Sequence, residues 1–142
     1  QESLHIGLFM AMPKEVQLEN LLKLPKHFYL PILQPDMHLQ FHAYQPQVPM
    51  IKNKWGIQEP SPTDSPMDIQ SIDVIFIPML AFNQQGYRLG MGKGCFDRTL
   101  PKNHHSYLIG VAFDIQQYEN LPIEPHDIQM DMIITEKRIL EF

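Results

Sequence analysis

At 142 residues the chain has room for one domain with a hydrophobic core and too little for two; with 44% hydrophobic and 19% charged residues, wholesale disorder is excluded. A formal net charge of -5, with no run of basic residues, argues against nucleic-acid binding, and no apolar run reaches the roughly 18 residues of a membrane span. The single cysteine, Cys95, rules out an internal disulfide, and no Cys and His spacing matches a zinc site.

The amino end shows no basic, then apolar, then small-residue leader pattern. The expectation is a cytoplasmic monomer acting on small molecules. Leu4 to Met10 is an apolar run of strand length, followed by Pro13 and a polar segment, Lys14 to Lys23, whose apolar positions Val16, Leu18, Leu21 and Leu22 predict a short helix. Pro25 stops it. Phe28 to Leu33 is a second apolar run, interrupted by Pro31 and therefore expected to be a strand with a kinked end. His38 to Tyr44 alternates, with Leu39, Phe41 and Ala43 on one side and His38, Gln40, His42 and Tyr44 on the other, which predicts a strand with one wetter face. Gln45 to Ser71 is rich in Pro, Ser, Asn and Gln and reads as a long irregular crossing in which only Trp55, Gly56 and Ile57 are anchored.

Asp73 opens the most apolar strand, Val74 to Pro78, whose unbroken run predicts burial on both faces and a central place in a sheet. Met79 to Phe82 follow, then a polar turn at Asn83 to Gly86, a glycine loop to Gly94 and a brief helix ended by Pro101. Tyr107 to Phe113 is the next buried strand, and Met132 to Thr135 with Ile139 and Leu140 supply a late strand or pair. Strands alternating with short helical segments predict an α/β fold: a single domain, 1–142, with a mixed, largely parallel central sheet flanked by helices.

The densest signal is Gly86-Tyr87-Arg88-Leu89-Gly90-Met91-Gly92-Lys93-Gly94-Cys95-Phe96-Asp97-Arg98, just past the carboxyl end of the predicted central strand, where open α/β sheets take their ligands. Glycines at 90, 92 and 94 let the backbone bring bare N–H groups to a ligand, as a phosphate cradle requires. A helix beginning near Cys95 points its positive end at the same anion. Arg88 and Lys93 add full charges, and Asp97 in the first helical turn is placed to hold a magnesium ion bridging phosphate oxygens. The loop is no standard nucleotide motif: a dinucleotide fingerprint from Gly90 needs glycine where Cys95 stands, and a Walker A loop needs Ser or Thr where Gly94 stands. Taken singly, the residues have plainer readings: a tight turn for the glycines, solvated charges for Arg88 and Lys93, a helix cap for Asp97. Their convergence on one loop favours phosphate.

With these residues in place, the stretch from Asp73 to Arg98 resembles the signature of the 5-formyltetrahydrofolate cyclo-ligase (methenyltetrahydrofolate synthetase) family. The likeness continues in order through Glu15-Val16, Trp55-Gly56-Ile57-Gln58-Glu59-Pro60, Gly110-Val111-Ala112-Phe113 with Gln116, Leu121-Pro122 with His126-Asp127, and Thr135-Glu136. It implies a NagB/RpiA/CoA transferase-like fold and the ATP-dependent conversion of 5-formyltetrahydrofolate to 5,10-methenyltetrahydrofolate, with ADP and phosphate released and the formyl oxygen phosphorylated on the way. The expected cofactors are ATP and Mg2+, and the expected partner is a reduced folate.

By the same resemblance, Arg88, Leu89, Gly90, Met91, Gly92, Lys93, Gly94, Cys95 and Phe96 are expected to bind ATP, with Arg88 and Lys93 catalytic. Asp97 and Asp127 are expected to serve the metal. Met10, Glu15, Trp55, Met91 and Cys95 are expected to line the folate, Glu15 accepting from the aminopyrimidine ring. Read without the family, Met10 is strand core, Glu15 a first-turn acid, Trp55 a loop anchor and Asp127 a turn residue. Three positions depart from the family pattern: Asn83 stands where Asp is usual, and Cys95 and Phe96 stand where two tyrosines are usual. The resemblance also implies that the chain opens at the family's first strand, so that a fragment without the preceding basic helical segment is expected. The competing expectation is a non-catalytic folate- or nucleotide-binding relative.

Overall fold

The structure is a computed structural model that describes residues 4–10, 15–62, 65–90, 95–101, 104–125 and 127–142, the side chain of Cys95 excepted. Its frame is a seven-stranded sheet built from β1 (His5–Gly7), β2 (His27–Leu33), β3 (Leu39–Ala43), β6 (Val74–Pro78), β9 (Tyr107–Val111), β10 (Met132–Ile134) and β11 (Ile139–Glu141), in the order β11-β10-β9-β6-β1-β2-β3. Between them lie two small hairpins, β4 (Ile51–Lys52) with β5 (Gln58–Glu59) and β7 (Ala81–Phe82) with β8 (Arg88–Leu89), and the helix α1 (Cys95–Thr99). Neighbouring strands from β10 through β9, β6 and β1 to β2 run parallel, and the edge strands β3 and β11 run antiparallel to their neighbours. The mixed, largely parallel sheet expected from the sequence is therefore present.

β6 holds the fourth place of seven, as its apolar run predicts. Period two divides its side chains. Ile75 and Ile77 are fully buried in the larger core with Tyr29, Phe41, Leu108 and Ile133, whereas Phe76 joins the smaller cluster of Leu8, Phe28 and Leu30 on the other face. The layers that close these faces owe less to helices than expected. Among the described residues α1 spans five residues, and the predicted helix over Lys14 to Lys23 is reduced to a 3-10 turn at Glu19–Lys23, with Lys14 outside the described residues. Loop residues such as Ile72, Met79, Ile128 and Met130 do much of the covering.

Four local expectations are corrected. β1 stops at Gly7 instead of running to Met10. β2 is continuous through Pro31, which pairs with Phe41. The reason lies in the ladder: even-numbered positions exchange bonds with β3, as at Gln34 N–H to His38 O (2.9 Å) and Tyr44 N–H to Phe28 O (2.9 Å). Pro31 belongs to the odd set facing away from β3, beyond Tyr29 where pairing with β1 ends, so its missing N–H costs no bond. In β3 the predicted wet face is half wrong, because His42 is only 4% exposed. Within Gln45 to Ser71, Trp55 and Gly56 are no anchors but the exposed tip of the β4–β5 hairpin.

One turn design recurs. Asn53 N–H donates to Ile57 O and Gly56 N–H to Asn53 O, while Asn53 Oδ1 accepts from Trp55 and Ile57 N–H (2.9 and 3.1 Å). Asn83, Gly86 and Tyr87 repeat it bond for bond, with Asn83 Oδ1 accepting from Gln85 and Tyr87 N–H (3.0 and 3.1 Å). The glycines take φ of 80° and 88°, the left-handed conformation that closes a three-residue hairpin loop. The β2–β3 turn shares the backbone pattern at Gln34 to His38, but Met37 occupies the left-handed position with φ 70°.

Candidate nucleotide and folate site

The central strand ends at Pro78, and the chain leaves it through Met79 and Leu80 into the β7–β8 hairpin. Asn83 is 1% exposed and organises the tip from inside. The segment before β10 is bonded to that tip: Met130 N–H donates to Gly86 O at 2.8 Å, and Gln129 Nε2 donates to Gln85 O. On the other side, the Phe142 ring lies so close that a Cβ on Gly86 would meet it at 2.8 Å. Gln116 Nε2 donates to the carbonyls of Met79 and Leu80 (2.8 and 3.0 Å), and its Oε1 accepts from Phe113 N–H. The turn after β9 is thereby tied to the chain leaving β6.

Arg88, opposite Phe82 in the hairpin register, carries the chemistry of this region. Its side chain is 5% exposed, and Nη2 donates to Asp97 Oδ1 at 3.1 Å. Burial pulls the guanidinium below its ordinary pKa, while the negative charges of Asp97 and Asp127 act in the opposite direction; an arginine keeps its charge throughout. The guanidinium carbon stands 6.0 Å from the centroid of the Phe96 ring, which itself packs on the larger core. A Cβ on Gly90 would lie 2.6 Å from Arg88 Nη1. Asp127 is set by a local turn, in which its Oδ2 accepts from Glu124 N–H at 2.8 Å.

Among the described residues, two buried donors of this hairpin, Arg88 Nε and Asn83 Nδ2, have no hydrogen-bond partner. A buried donor without an acceptor costs about 1–3 kcal/mol, so the hairpin holds unmet demand for acceptor oxygens beside a full positive charge. Donors of this kind suit an anion.

The chain matches the model of the 5-formyltetrahydrofolate cyclo-ligase family over residues 1–136. It is 34% identical to the 5-formyltetrahydrofolate cyclo-ligase of Haemophilus influenzae over 139 residues, spanning 92% of this chain and 74% of that one. To the Escherichia coli enzyme of the same name it is 33% identical over 146 residues, 96% of this chain and 80% of that one. The chain belongs to the 5-formyltetrahydrofolate cyclo-ligase family. Its fold is also that of a solved relative, the NMR structure of Aquifex aeolicus 5,10-methenyltetrahydrofolate synthetase, at 31% identity and a TM-score of 0.82 over 98% of this chain and 72% of the other.

Within this cyclo-ligase frame, Arg88, Gly90, Phe96, Asp97 and Asp127, expected from the sequence as site residues, meet in one cluster. Leu89 lies beside them with its side chain 42% exposed. Met91, Gly92, Lys93 and Gly94 lie outside the described residues, and of Cys95 only its place at the start of α1 is described. The residues expected to line folate come from other elements. Met10 follows β1 and packs on Leu8, Phe28 and Leu30, Glu15 is half-buried beyond it, and Trp55 crowns the β4–β5 hairpin. No group of three or more His, Cys, Asp or Glu converges among the described residues. Asp97 and Asp127 fit a magnesium ion only in the mode in which one or two carboxylates share it with phosphate oxygens.

Sequence reasoning missed the structural weight of Asn83 and Asn53. The repeated spacing Asn-x-x-Gly, at 53–56 and 83–86, is the signal that marks both.

Proposed function

We propose that this enzyme closes 5-formyltetrahydrofolate to 5,10-methenyltetrahydrofolate at the expense of ATP, working as a single-domain monomer. The observation that carries the reading is Arg88, a buried cation whose Nε has no partner among the described residues, bonded to Asp97 and feeling the charge of Asp127 past the carboxyl end of the central strand. A formyl amide oxygen is a poor leaving group. When it attacks the γ-phosphorus, the bond to the β-phosphate oxygen breaks, ADP departs, and the oxygen becomes a phosphate ester on an iminium carbon. The neighbouring folate nitrogen then adds to that carbon and gives up its proton, the C–O bond breaks, and inorganic phosphate leaves with the oxygen and that proton.

Such a transfer asks for alignment and charge neutralisation more than for covalent catalysis. Arg88 is suited to the charge on the transferring group, and its contact with Asp97 restricts where the guanidinium sits before ligands arrive. Magnesium, when bound, neutralises phosphate charge, and Asp97 with Asp127 are the described residues suited to hold it. Met10 supplies apolar surface to the pterin side and Glu15 an acceptor for the aminopyrimidine ring. Lys93, Gly92 and Gly94, outside the described residues, are assigned to the ATP phosphates on the family resemblance.

The test is direct. Protein mixed with 5-formyltetrahydrofolate, ATP and magnesium is expected to develop the absorbance of the conjugated methenyl product, and to do so only with all three present. Binding of both ligands without product would replace the ligase reading with that of a non-catalytic folate-binding relative. Lys93→Ala is expected to lower kcat about 10²-fold or more while leaving thermal stability unchanged; unaltered kinetics would remove Lys93 from the mechanism.

A further inference from the structure

The two Asn-x-x-Gly hairpins are anchored differently. Hairpin β4–β5 carries its own anchor: Glu59 Oε2 accepts from Asn53 Nδ2 at 3.1 Å and from Leu33 N–H, at the end of β2, at 2.9 Å. In the β7–β8 hairpin the place matching Glu59 holds Leu89, and the base is anchored from the turn after β9 instead. There Gln116 uses its whole carboxamide: Nε2 donates to Met79 O (2.8 Å) and Leu80 O (3.0 Å), and Oε1 accepts from Phe113 N–H (2.7 Å). Leu80 is shared, because its N–H donates to the carbonyl of Leu89, the neighbour of Arg88, at 2.8 Å. Farther along, Tyr118 N–H donates to Phe82 O at 2.7 Å, opposite Arg88 in the hairpin register. Apolar burial does not hold this turn. Phe113, Ile115 and Tyr118 are 38%, 91% and 56% exposed, and the 3-10 turn Asp114–Gln116 buries no residue. Its hold is polar. Asp114 Oδ1 accepts from Arg138 Nε (2.8 Å) and Thr135 Oγ1 (3.0 Å), which ties the turn back to the end of β10, while Gln116 ties it forward to the hairpin. A pair of two-residue strands is marginal by itself, so the place of Arg88 depends on such ties.

We infer that Gln116 is a positioning residue for the phosphoryl transfer, acting through the hairpin and not on the substrate. Its carboxamide sets where the chain leaving β6 enters β7, and through the bond between Leu80 and Leu89 it sets where Arg88 is presented to the ATP phosphates. The inference rests on the reading above in which Arg88 serves those phosphates. Such a transfer depends on alignment, and a misplacement of about 1 Å costs about 10²-fold in rate. Glutamine suits the task chemically: two N–H groups meet two carbonyls while the oxygen takes a backbone N–H. An ionised glutamate keeps the acceptor and loses both donors, and a leucine loses all three.

The full chain is assayed with 5-formyltetrahydrofolate, ATP and magnesium, as wild type, Gln116→Glu and Gln116→Leu. Near neutral to alkaline pH both variants are expected to lower kcat about 10²-fold, with KM for 5-formyltetrahydrofolate unchanged, because the residues assigned to folate stand on other elements. In acid the two variants part. A carboxyl held against two carbonyl oxygens titrates above the ordinary glutamate value of about 4.3, and once protonated its O–H donates to one of them. Expressed relative to wild type at each pH, the activity of Gln116→Glu is expected to recover as pH is lowered to about 5.5, and that of Gln116→Leu to stay low. Calorimetric titration with ATP reads the same geometry without turnover: affinity is expected to fall in both variants and to recover in acid in Gln116→Glu alone. A lowered melting temperature with wild-type kcat and ATP affinity, or identical losses in the two variants at every pH, overturns the inference. The two readings fail separately: wild-type protein that binds ATP without forming methenyl product sinks the ligase, and the ATP titration still decides the role of Gln116.

Discussion

Arg88 shows how one side chain can be both costly and useful. Taking a guanidinium out of water is unfavourable, and its single described carboxylate contact, Asp97 at 3.1 Å, leaves Nε without a partner. Its position also depends on what is missing beside it. A Cβ on Gly90 would approach Nη1 to 2.6 Å, well inside contact distance, so Gly90→Ala is expected to push the guanidinium off Asp97. Because a misplacement of about 1 Å in a positioning group costs about 10²-fold in rate, steady-state assays should show kcat/KM for ATP falling by that order while circular dichroism stays native. Met37, in the turn between β2 and β3, carries strain in its backbone instead. Its φ of 70° is one that side-chain-bearing residues adopt at a cost of about 1–2 kcal/mol. Since glycine gives back about 0.5–1 kcal/mol in chain entropy, Met37→Gly is expected to raise stability by up to about 1 kcal/mol, read as a higher urea midpoint.

Among the elements, the two Asn-x-x-Gly hairpins have the same bonds but different surroundings. Around Gly56 an added Cβ meets nothing within 4 Å, whereas around Gly86 it meets the Phe142 ring at 2.8 Å. Gly56→Ala is therefore expected to cost only the left-handed penalty, about 1–2 kcal/mol. Gly86→Ala adds an overlap in a packed place and is expected to cost about 2–4 kcal/mol; equal losses on denaturant titration would show that Phe142 yields freely. These hairpins also mark where the sequence was hard to read. Strands of two residues, such as Ile51–Lys52 and Arg88–Leu89, are too short for alternation to register. Trp55 was mistaken for an anchor because its apolar character stood out in a polar stretch, although the anchoring is done by Asn53 and Glu59. Arg88, Gly90 and Asp97 stand close together in the sequence, and the structure brings them together. Asp127 acts on Arg88 only through its charge, from the segment before β10 that bonds to the Gly86 turn, and no local pattern announces that; the family resemblance alone pointed to it.

Over the whole molecule, the sheet's edge brings a titratable group into the core, and this gives stability a pH dependence. His42 on β3 is 4% exposed, and burial pushes its pKa below the ordinary value of 6.5. The unfolded chain therefore binds a proton at this position more readily than the folded one, so stability is full above about pH 6.5 and is lost as pH falls below it. Other shifted groups act in different windows. Asp114, held by Arg138 and Thr135, and Asp36, held by the N–H of His38, lie below their ordinary 3.8, so their contributions persist until more acid conditions. Tyr29, raised by burial and by Asp73, withdraws stability only above about pH 10. Between pH 7.5 and 5.5 the His42 contribution thus stands apart from these. The melting temperature of the wild-type protein is expected to fall across that interval, and His42→Phe, whose ring takes no proton, should fall less. Whatever the substitution does to stability at pH 7.5, the difference between the two slopes isolates the histidine. Parallel slopes would mean that His42 is protonated as easily in the folded sheet as in the unfolded chain, and that its burial carries no electrostatic cost.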